Sequence, residues 1–220
     1  MSPSTSDIPD QINSLCSRCT EALRRSTEPD SCIALATQEL HGLLLDQTLF
    51  IRLTKSILEA GSFPDIQRPT LFDNEIVLYQ EPDRLYSLRM YIWGPGEYTP
   101  VHDHNSWGVI GTVTEGFEVV TYSRMDDRKL EGYAELSERK RFTLKAGESA
   151  HTYPLDDGIH MTGNPTLGTI ITLSLYGKPV ARPYIQGFDV VHRRAFRIMS
   201  PRRKKAHLAA QALETLTSHA

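Results

Sequence analysis

The sequence of 220 residues has few cysteines, no long hydrophobic run and little net charge, and each shortage excludes a class of protein. Three cysteines are too few for the disulfide framework of a small secreted domain. No apolar run approaches the roughly 20 residues that a transmembrane helix requires. A formal net charge of −3 does not favour a nucleic-acid-binding protein. We therefore expect a globular protein with no membrane or nucleic-acid partner.

The N-terminal residues Met1–Asp10 are polar and lack the hydrophobic segment of a signal peptide. Together with the sparse cysteines, this predicts a cytoplasmic location. Cys16-Ser-Arg-Cys19 has the spacing of a redox pair or of half a zinc site. It lies inside a helical pattern of apolar residues, however, and a structural zinc site needs four ligands. We therefore interpret these cysteines as residues of a helix face that packs against the core.

Apolar residues recur every three to four positions near the N-terminus, which predicts helices there. These helices are predicted over Pro9–Arg25, Ser31–Asp46 and Leu49–Ala60, and a fourth follows Pro201 and continues to about Leu216. Between them, short β-rich runs alternate with turn residues. The runs are Glu75–Tyr79, Leu85–Trp93, Gly108–Val113, Phe117–Ser123, Gly132–Leu136, Lys140–Leu144 and Thr169–Tyr176.

This spacing favours an antiparallel barrel or jelly roll rather than alternating strands and helices. We divide the single-domain chain into an N-terminal helical segment (1–65) that packs on the barrel, the barrel itself (66–190), and a C-terminal tail and helix (191–220). The sequence does not indicate the oligomeric state.

Two of the eight histidines form the sequence His102-Asp103-His104. Residues i and i+2 of a strand point to the same face, so both imidazoles can reach one metal ion. Five residues separate Gly96 from His102, and eleven separate His104 from Gly116. Further along, His160 is followed by three residues and then Asn164.

These two motifs resemble those of the cupin superfamily. The resemblance covers about residues 75–177 and implies a mainly β fold, a double-stranded β-helix or jelly-roll barrel, here with N-terminal helices and a C-terminal helix. It also implies His102, His104 and His160 as metal ligands. His151, which follows a glycine turn, is a rival for the third position. The glutamate that many cupins place in the first motif falls on Val109, which cannot bind a metal.

A narrower resemblance is carried by Trp93-Gly94-Pro95-Gly96, Thr99-Pro100-Val101 before the histidines, Trp107-Gly108, and Ser174-Leu175-Tyr176-Gly177. These segments look like the thiol dioxygenase family, which includes cysteine dioxygenase and 3-mercaptopropionate dioxygenase. The resemblance implies an oxidoreductase, a dioxygenase with one non-haem Fe(II) on three histidines. Its partners would be O2 and a small thiol, such as cysteine or 3-mercaptopropionate, and its product a sulfinate.

The Ser-x-His-x-Tyr motif of that family falls on Thr172, Ser174 and Tyr176. The resemblance implies that Tyr176 hydrogen-bonds oxygen or substrate, while the histidine that orients the tyrosine is replaced by Ser174. The resemblance places the carboxylate-binding arginine of the animal enzymes near Glu75, which has the opposite charge. The bacterial enzymes of the family take this arginine from beyond the tyrosine, so the resemblance implies Arg182 as the first candidate, with Arg89 as the alternative. The family motif also suggests Trp107 as a substrate-binding residue.

Two other functions remain open at this stage. The Ser174 replacement favours a cupin metalloenzyme of another class, such as a different oxygenase or an isomerase. A non-enzymatic cupin that binds or senses a small molecule is the third hypothesis. Metal identity and O2 consumption distinguish the three.

Overall fold

A computed structural model describes residues 8–217, so part of the polar stretch Met1–Asp10 and the extreme ends of segments 1–65 and 191–220 lie outside the described residues. Its helices are α1 (Asp10–Leu23), α2 (Pro29–Leu44), α3 (Gln47–Leu58) and α4 (Pro201–Thr217). These confirm the four predicted helices, with ends that differ by one or two residues. Pro29 occupies the first turn of α2, where its missing N–H costs nothing. The Asp46 side chain caps α3 by accepting a hydrogen bond from the Leu49 amide at 3.0 Å.

The strands follow in chain order. They are β1 (Glu75–Gln80), β2 (Tyr86–Trp93), β3 (Val101–His104), β4 (Gly108–Thr112), β5 (Phe117–Arg124), β6 (Leu136–Leu144), β7 (Ser149–Thr152), β8 (Leu155–Gly163), β9 (Ile170–Gly177), β10 (Ile185–Asp189) and β11 (Arg194–Ile198). One sheet has the order β1-β2-β9-β4-β7 and the other β11-β10-β3-β8-β5-β6, with antiparallel pairing throughout. The predicted mainly β jelly-roll barrel with helices at both ends is confirmed.

One predicted strand is wrong. The run Gly132–Leu136 is mostly a loop: Gly132 has a positive φ of 77°, and Tyr133 makes only an isolated bridge to Arg194. The regular strand begins at Leu136 and continues without a break to Leu144. The predicted segment boundary at residue 190 falls between β10 and β11, which pair with each other in the same sheet.

The N-terminal helices and the five-stranded sheet share one hydrophobic core. Leu44 of α2 packs directly onto Gly111 of β4, where a side chain on the glycine would collide with it. The faces of α1 and α2 that contain Cys16, Cys19 and Cys32 are buried in the same core, and all three thiols are free. Burial raises the pKa of both Cys16 and Cys19 to about 12. This confirms the packing interpretation of the cysteine pair.

Helix α4 differs from the other three, because it has no buried residue. Its first turns contain the basic run that begins at Arg202, and Arg203 donates a hydrogen bond to the carbonyl of Pro183 at 3.0 Å. Within residues 8–217, no helix combines the length and the apolar character needed to cross a lipid bilayer.

The contact between α2 and the barrel predicts a large loss of stability for Leu44→Ala. Leu44 is 1% exposed, and a buried leucine truncated to alanine typically costs about 2–5 kcal/mol in the free energy of unfolding. Leu58→Ala is the matched control, because Leu58 is 86% exposed and its loss should change stability by less than about 0.5 kcal/mol. Urea unfolding followed by circular dichroism measures both, and equal effects would contradict the packing of α2 on the barrel.

Candidate metal centre

Strands β3 and β8 bring three histidines together. His102 and His104 lie two residues apart on β3, and His160 of β8 pairs directly opposite His102 in the antiparallel register. The register shifts between His102 and His104, which is the mark of a β-bulge and re-aims a side chain locally. Because i and i+2 share a face, both β3 imidazoles point into the barrel with His160.

The three imidazoles converge on one small volume. One ring nitrogen from each lies within 4.8 Å of the other two, and the Nε2 atoms of His104 and His160 are 2.9 Å apart. All three residues are less than 10% exposed. Within residues 8–217, this is the only group of three or more histidine, cysteine or acidic residues with such a spacing.

The electrostatics of the cluster favour neutral rings. Burial lowers the pKa of His102 to about 4, although the bond to the Pro100 carbonyl raises it. Burial and the neighbouring imidazoles lower the pKa of His104 and His160 well below the usual value. Since Pro100 O can only accept, the 2.8 Å contact from Nδ1 of His102 fixes the proton on Nδ1. Its Nε2 lone pair is then free to bind a metal.

These residues fit a bound metal ion. Three neutral imidazoles form one face, and no carboxylate or thiolate of residues 8–217 joins them in the cluster. Such a nitrogen donor set suits borderline divalent metals, iron and zinc among them. A three-residue face leaves coordination positions open on the opposite side, as catalytic sites do.

The structure also shows the positions of His151, the rival for the third ligand, and of Val109, which stands where many cupins have a glutamate. His151 is exposed on β7, with its ring against Tyr153 at 5.5 Å, and it is not part of the cluster. Val109 is fully buried in the core shared with the helices. The structure thus brings His160, and not His151, to the two β3 histidines.

Asn164 of the second motif has a structural position. Its side-chain amide donates to the carbonyls of Trp93 and Gly94 at 3.1 and 3.0 Å, and its carbonyl oxygen accepts from Thr166. The asparagine therefore ties the end of β8 to the loop that follows β2, rather than facing the histidines.

Asp103, between the two β3 histidines, points away from them and is fully buried. Its carboxylate forms a bidentate ion pair with Arg182, at 2.8 and 2.6 Å. It also accepts a hydrogen bond from the backbone N–H of Gln186 at 2.7 Å. Nε of Arg182 donates to Asn105. We expected Arg182 to pair with a substrate carboxylate, but its guanidinium is already occupied by Asp103. Sequence inspection missed this because the partners lie 79 positions apart.

A cavity of about 350 Å³ opens in front of the cluster. His102 and His104 form part of its lining, together with Phe72, whose ring packs on His102 at 5.4 Å. Tyr176 forms another wall, with its ring stacked on His104 at 5.5 Å between centroids. The volume is at the lower end of the range for small-molecule sites.

Tyr176 reaches this position because its neighbour is a glycine. A Cβ at Gly108, which pairs with Tyr176 across β4 and β9, would lie 2.5 Å from the tyrosine ring. Burial raises the pKa of Tyr176, and the neighbouring Tyr91, Ser174 and Arg89 offset only part of that effect. The phenol is therefore protonated at neutral pH and available as a hydrogen-bond donor.

The other two residues of the predicted motif lie along the same strand. Thr172 is buried, and its hydroxyl accepts a hydrogen bond from the Trp93 indole at 2.9 Å. Ser174 is also fully buried, but its hydroxyl has no hydrogen-bond partner among the described residues. Their alternate positions on β9 place both on the face of Tyr176.

The two remaining candidates for substrate binding have different surroundings. Arg89 lines the cavity beside Glu75, Tyr91 and Tyr176, and its guanidinium lies 5.5 Å from the centre of the Tyr176 ring. Trp107 is buried in the core against Gly177 and does not line the cavity. Glu75 and Tyr91 were missed as cavity residues, because only the β1–β2 pairing reveals that they lie opposite each other.

No family model matches the chain. Among solved structures, it is similar to a Cupin 2 conserved barrel domain protein from Salinispora arenicola, with 16% identity and a TM-score of 0.36 over 51% of this chain and 83% of that one. A Cupin 2 conserved barrel protein from Rhodopseudomonas palustris gives 13% identity and a TM-score of 0.38 over 53% and 67%. The Cupin_2 domain of an XRE family transcriptional regulator from Enterobacter cloacae gives 14% and 0.34 over 48% and 96%.

The geometry predicts that His104→Ala removes metal binding. Two imidazoles remain, and we expect the affinity for a divalent metal to fall by more than about 100-fold, since even changes behind a ligand cost about 10–100-fold. Elemental analysis of purified, dialysed protein measures the metal content. His151→Ala is the matched control and should retain the wild-type content. Equal metal content in the wild type and in His104→Ala would exclude this centre.

Proposed function

We propose that the protein is a mononuclear Fe(II) dioxygenase that oxidises the sulfur of a small thiol to a sulfinate. The observation that carries this proposal is a face of three neutral histidines, without a carboxylate, that opens onto a cavity beside Tyr176. The motifs around these residues resemble those of thiol dioxygenases. Ferrous iron, bound by His102, His104 and His160, would supply adjacent open positions for a thiolate and O2 and the redox chemistry that joins them.

The chain's own residues would perform the remaining tasks. Tyr176, protonated and stacked on His104, would donate a hydrogen bond into the space in front of the histidines. Phe72 on His102 and the buried β9 face would limit the access of water to that space. Arg89 rather than Arg182 would face the end of the substrate that is remote from sulfur, because Arg89 lines the cavity and Arg182 is paired with Asp103.

A second candidate is a cupin metalloenzyme of another reaction class. Ser174 favours it, because this buried serine replaces the histidine that orients the tyrosine in the family that the sequence resembles. An isomerase or lyase on this site would require neither iron nor O2. The next experiment therefore distinguishes the two candidates.

The dioxygenase proposal predicts iron close to one atom per chain in protein from iron-replete cells. It also predicts O2 uptake with at least one of cysteine, cysteamine and 3-mercaptopropionate, with one O2 consumed for each sulfinate formed. An oxygen electrode and mass spectrometry of the product measure both. Iron at full content with no O2 uptake on any of these thiols would contradict the proposal, and so would a site that retains only another metal.

Tyr176→Phe should retain iron but slow the reaction, on the order of 10²-fold if the phenol assists proton transfer. The substitution removes one hydroxyl from the cavity and leaves the ring stacked on His104. Tyr153→Phe is the control, because its hydroxyl bonds Asp30 at 2.7 Å outside the cavity. A rate in Tyr176→Phe equal to that of the control would exclude the phenol from the reaction.

A further inference from the structure

One wall of the cavity contains a carboxylate in contact with an arginine. Glu75, at the start of β1, forms an ion pair with NH1 of Arg89 on β2. The Glu75 side chain is 1% exposed and that of Arg89 is 29% exposed. Both residues line the cavity that contains His102 and His104. A carboxylate buried to this extent must remain paired, because an isolated buried charge is very costly.

The position of Glu75 is fixed from a second side. Its Oε2 accepts hydrogen bonds from the amides of Leu71 and Phe72, at 3.1 and 3.3 Å. These two bonds fix the orientation of the carboxylate from the side opposite Arg89. In the part of the chain that the structure describes, Oε1 accepts a hydrogen bond from Arg89 alone, and a carboxylate oxygen can accept another.

The guanidinium of Arg89 has few hydrogen-bond donors left for a substrate. Its Nε donates to the Ser87 hydroxyl at 2.9 Å, and NH1 donates to Glu75. Two of its three nitrogens therefore already donate hydrogen bonds. A substrate carboxylate could not form the two parallel hydrogen bonds by which a free guanidinium binds carboxylates tightly. It would also lie close to Glu75, and like charges in a poorly hydrated site repel strongly.

We propose that Glu75 is a specificity-determining residue that directs this cavity toward thiols with an uncharged or cationic far end, such as aminothiols, and away from mercaptocarboxylates. The inference rests on the proposed function only for the thiol group. The Glu75–Arg89 pair has no net charge. The Glu75 carboxylate can accept a hydrogen bond from an ammonium or hydroxyl group of the substrate, and it repels a substrate carboxylate. The positive charges of Arg68 and Arg84 at the edge of the cavity are exposed and are therefore screened by water and salt.

The test is thiol binding to Co(II)-loaded protein, followed by the thiolate-to-cobalt absorption band, which requires no turnover. The probes are cysteamine, 2-mercaptoethanol and 3-mercaptopropionate, whose far ends are cationic, neutral and anionic. Because the three thiols differ in acidity, the quantity compared is the change in their affinity ratios between variants. Glu75→Gln should shift the ratio toward 3-mercaptopropionate by about tenfold or more, the scale of a close like-charge contact.

Arg89→Gln should shift the ratio in the opposite direction, because it removes the cation while the Leu71 and Phe72 amides still bind the Glu75 carboxylate. Opposite shifts keep the proposal testable even when one variant fails to fold. Glu118→Gln is the matched control: Glu118 pairs with Arg141 at 2.8 Å outside the cavity, and its loss should leave the ratio unchanged. An unchanged ratio in Glu75→Gln or in Arg89→Gln, or a shift of either in the direction opposite to that expected, would overturn the proposal.

Oxygen uptake by the iron-loaded protein separates this inference from the proposed function. Glu75-dependent thiol selectivity on cobalt, without O2 uptake on iron, would support the charge selection and reject the dioxygenase. Uptake of O2 on iron, with an affinity ratio that does not change in Glu75→Gln, would support the dioxygenase and reject the charge selection. Absence of thiol binding to cobalt-loaded protein would reject both.

Discussion

The antiparallel register between β3 and β8 is the constraint on which the candidate centre depends. It places His102 opposite His160, and the bulge that follows allows His104 to join them. A slip of one residue would turn the β8 histidine to the opposite face of its strand. The Asp103–Arg182 pair lies on the reverse face of β3 and ties the strand that contains His102 and His104 to the segment before β10.

The difference between local spacing and long-range pairing explains why the sequence predicted some parts of the site and not others. His102, His104 and His160 could be identified because their spacing matches motifs, and β structure places i and i+2 on one face. Glu75 could not, because its proximity to Arg89 depends on the pairing of β1 with β2. Arg182 was expected to face a substrate, because no local pattern reveals a partner 79 positions earlier.

The helices and most of the β-rich runs were predictable from the sequence, but not every strand. Helical periodicity identified α1, α2 and α3, because each of them buries one face. Helix α4 was identified by its content of alanine and leucine after a proline, and it begins at that proline. The strand over Gly132–Leu136 was wrong because its composition suits a strand, whereas the positive φ of Gly132 opens a loop. Short strands such as β7 have four residues, too few for alternation to distinguish them from a turn.

The buried cysteines of α1 have a consequence for the chemistry of the chain. A thiol with a pKa of about 12 is ionised in only about one molecule in 10⁵ at pH 7, and the thiolate is the form that attacks disulfides and reacts with oxidants. Cys16 and Cys19 are therefore slow partners for mixed disulfides and for oxidation. In a solution that contains both free thiols and O2, the packing of α1 therefore protects the sulfur atoms of these two cysteines from reaction.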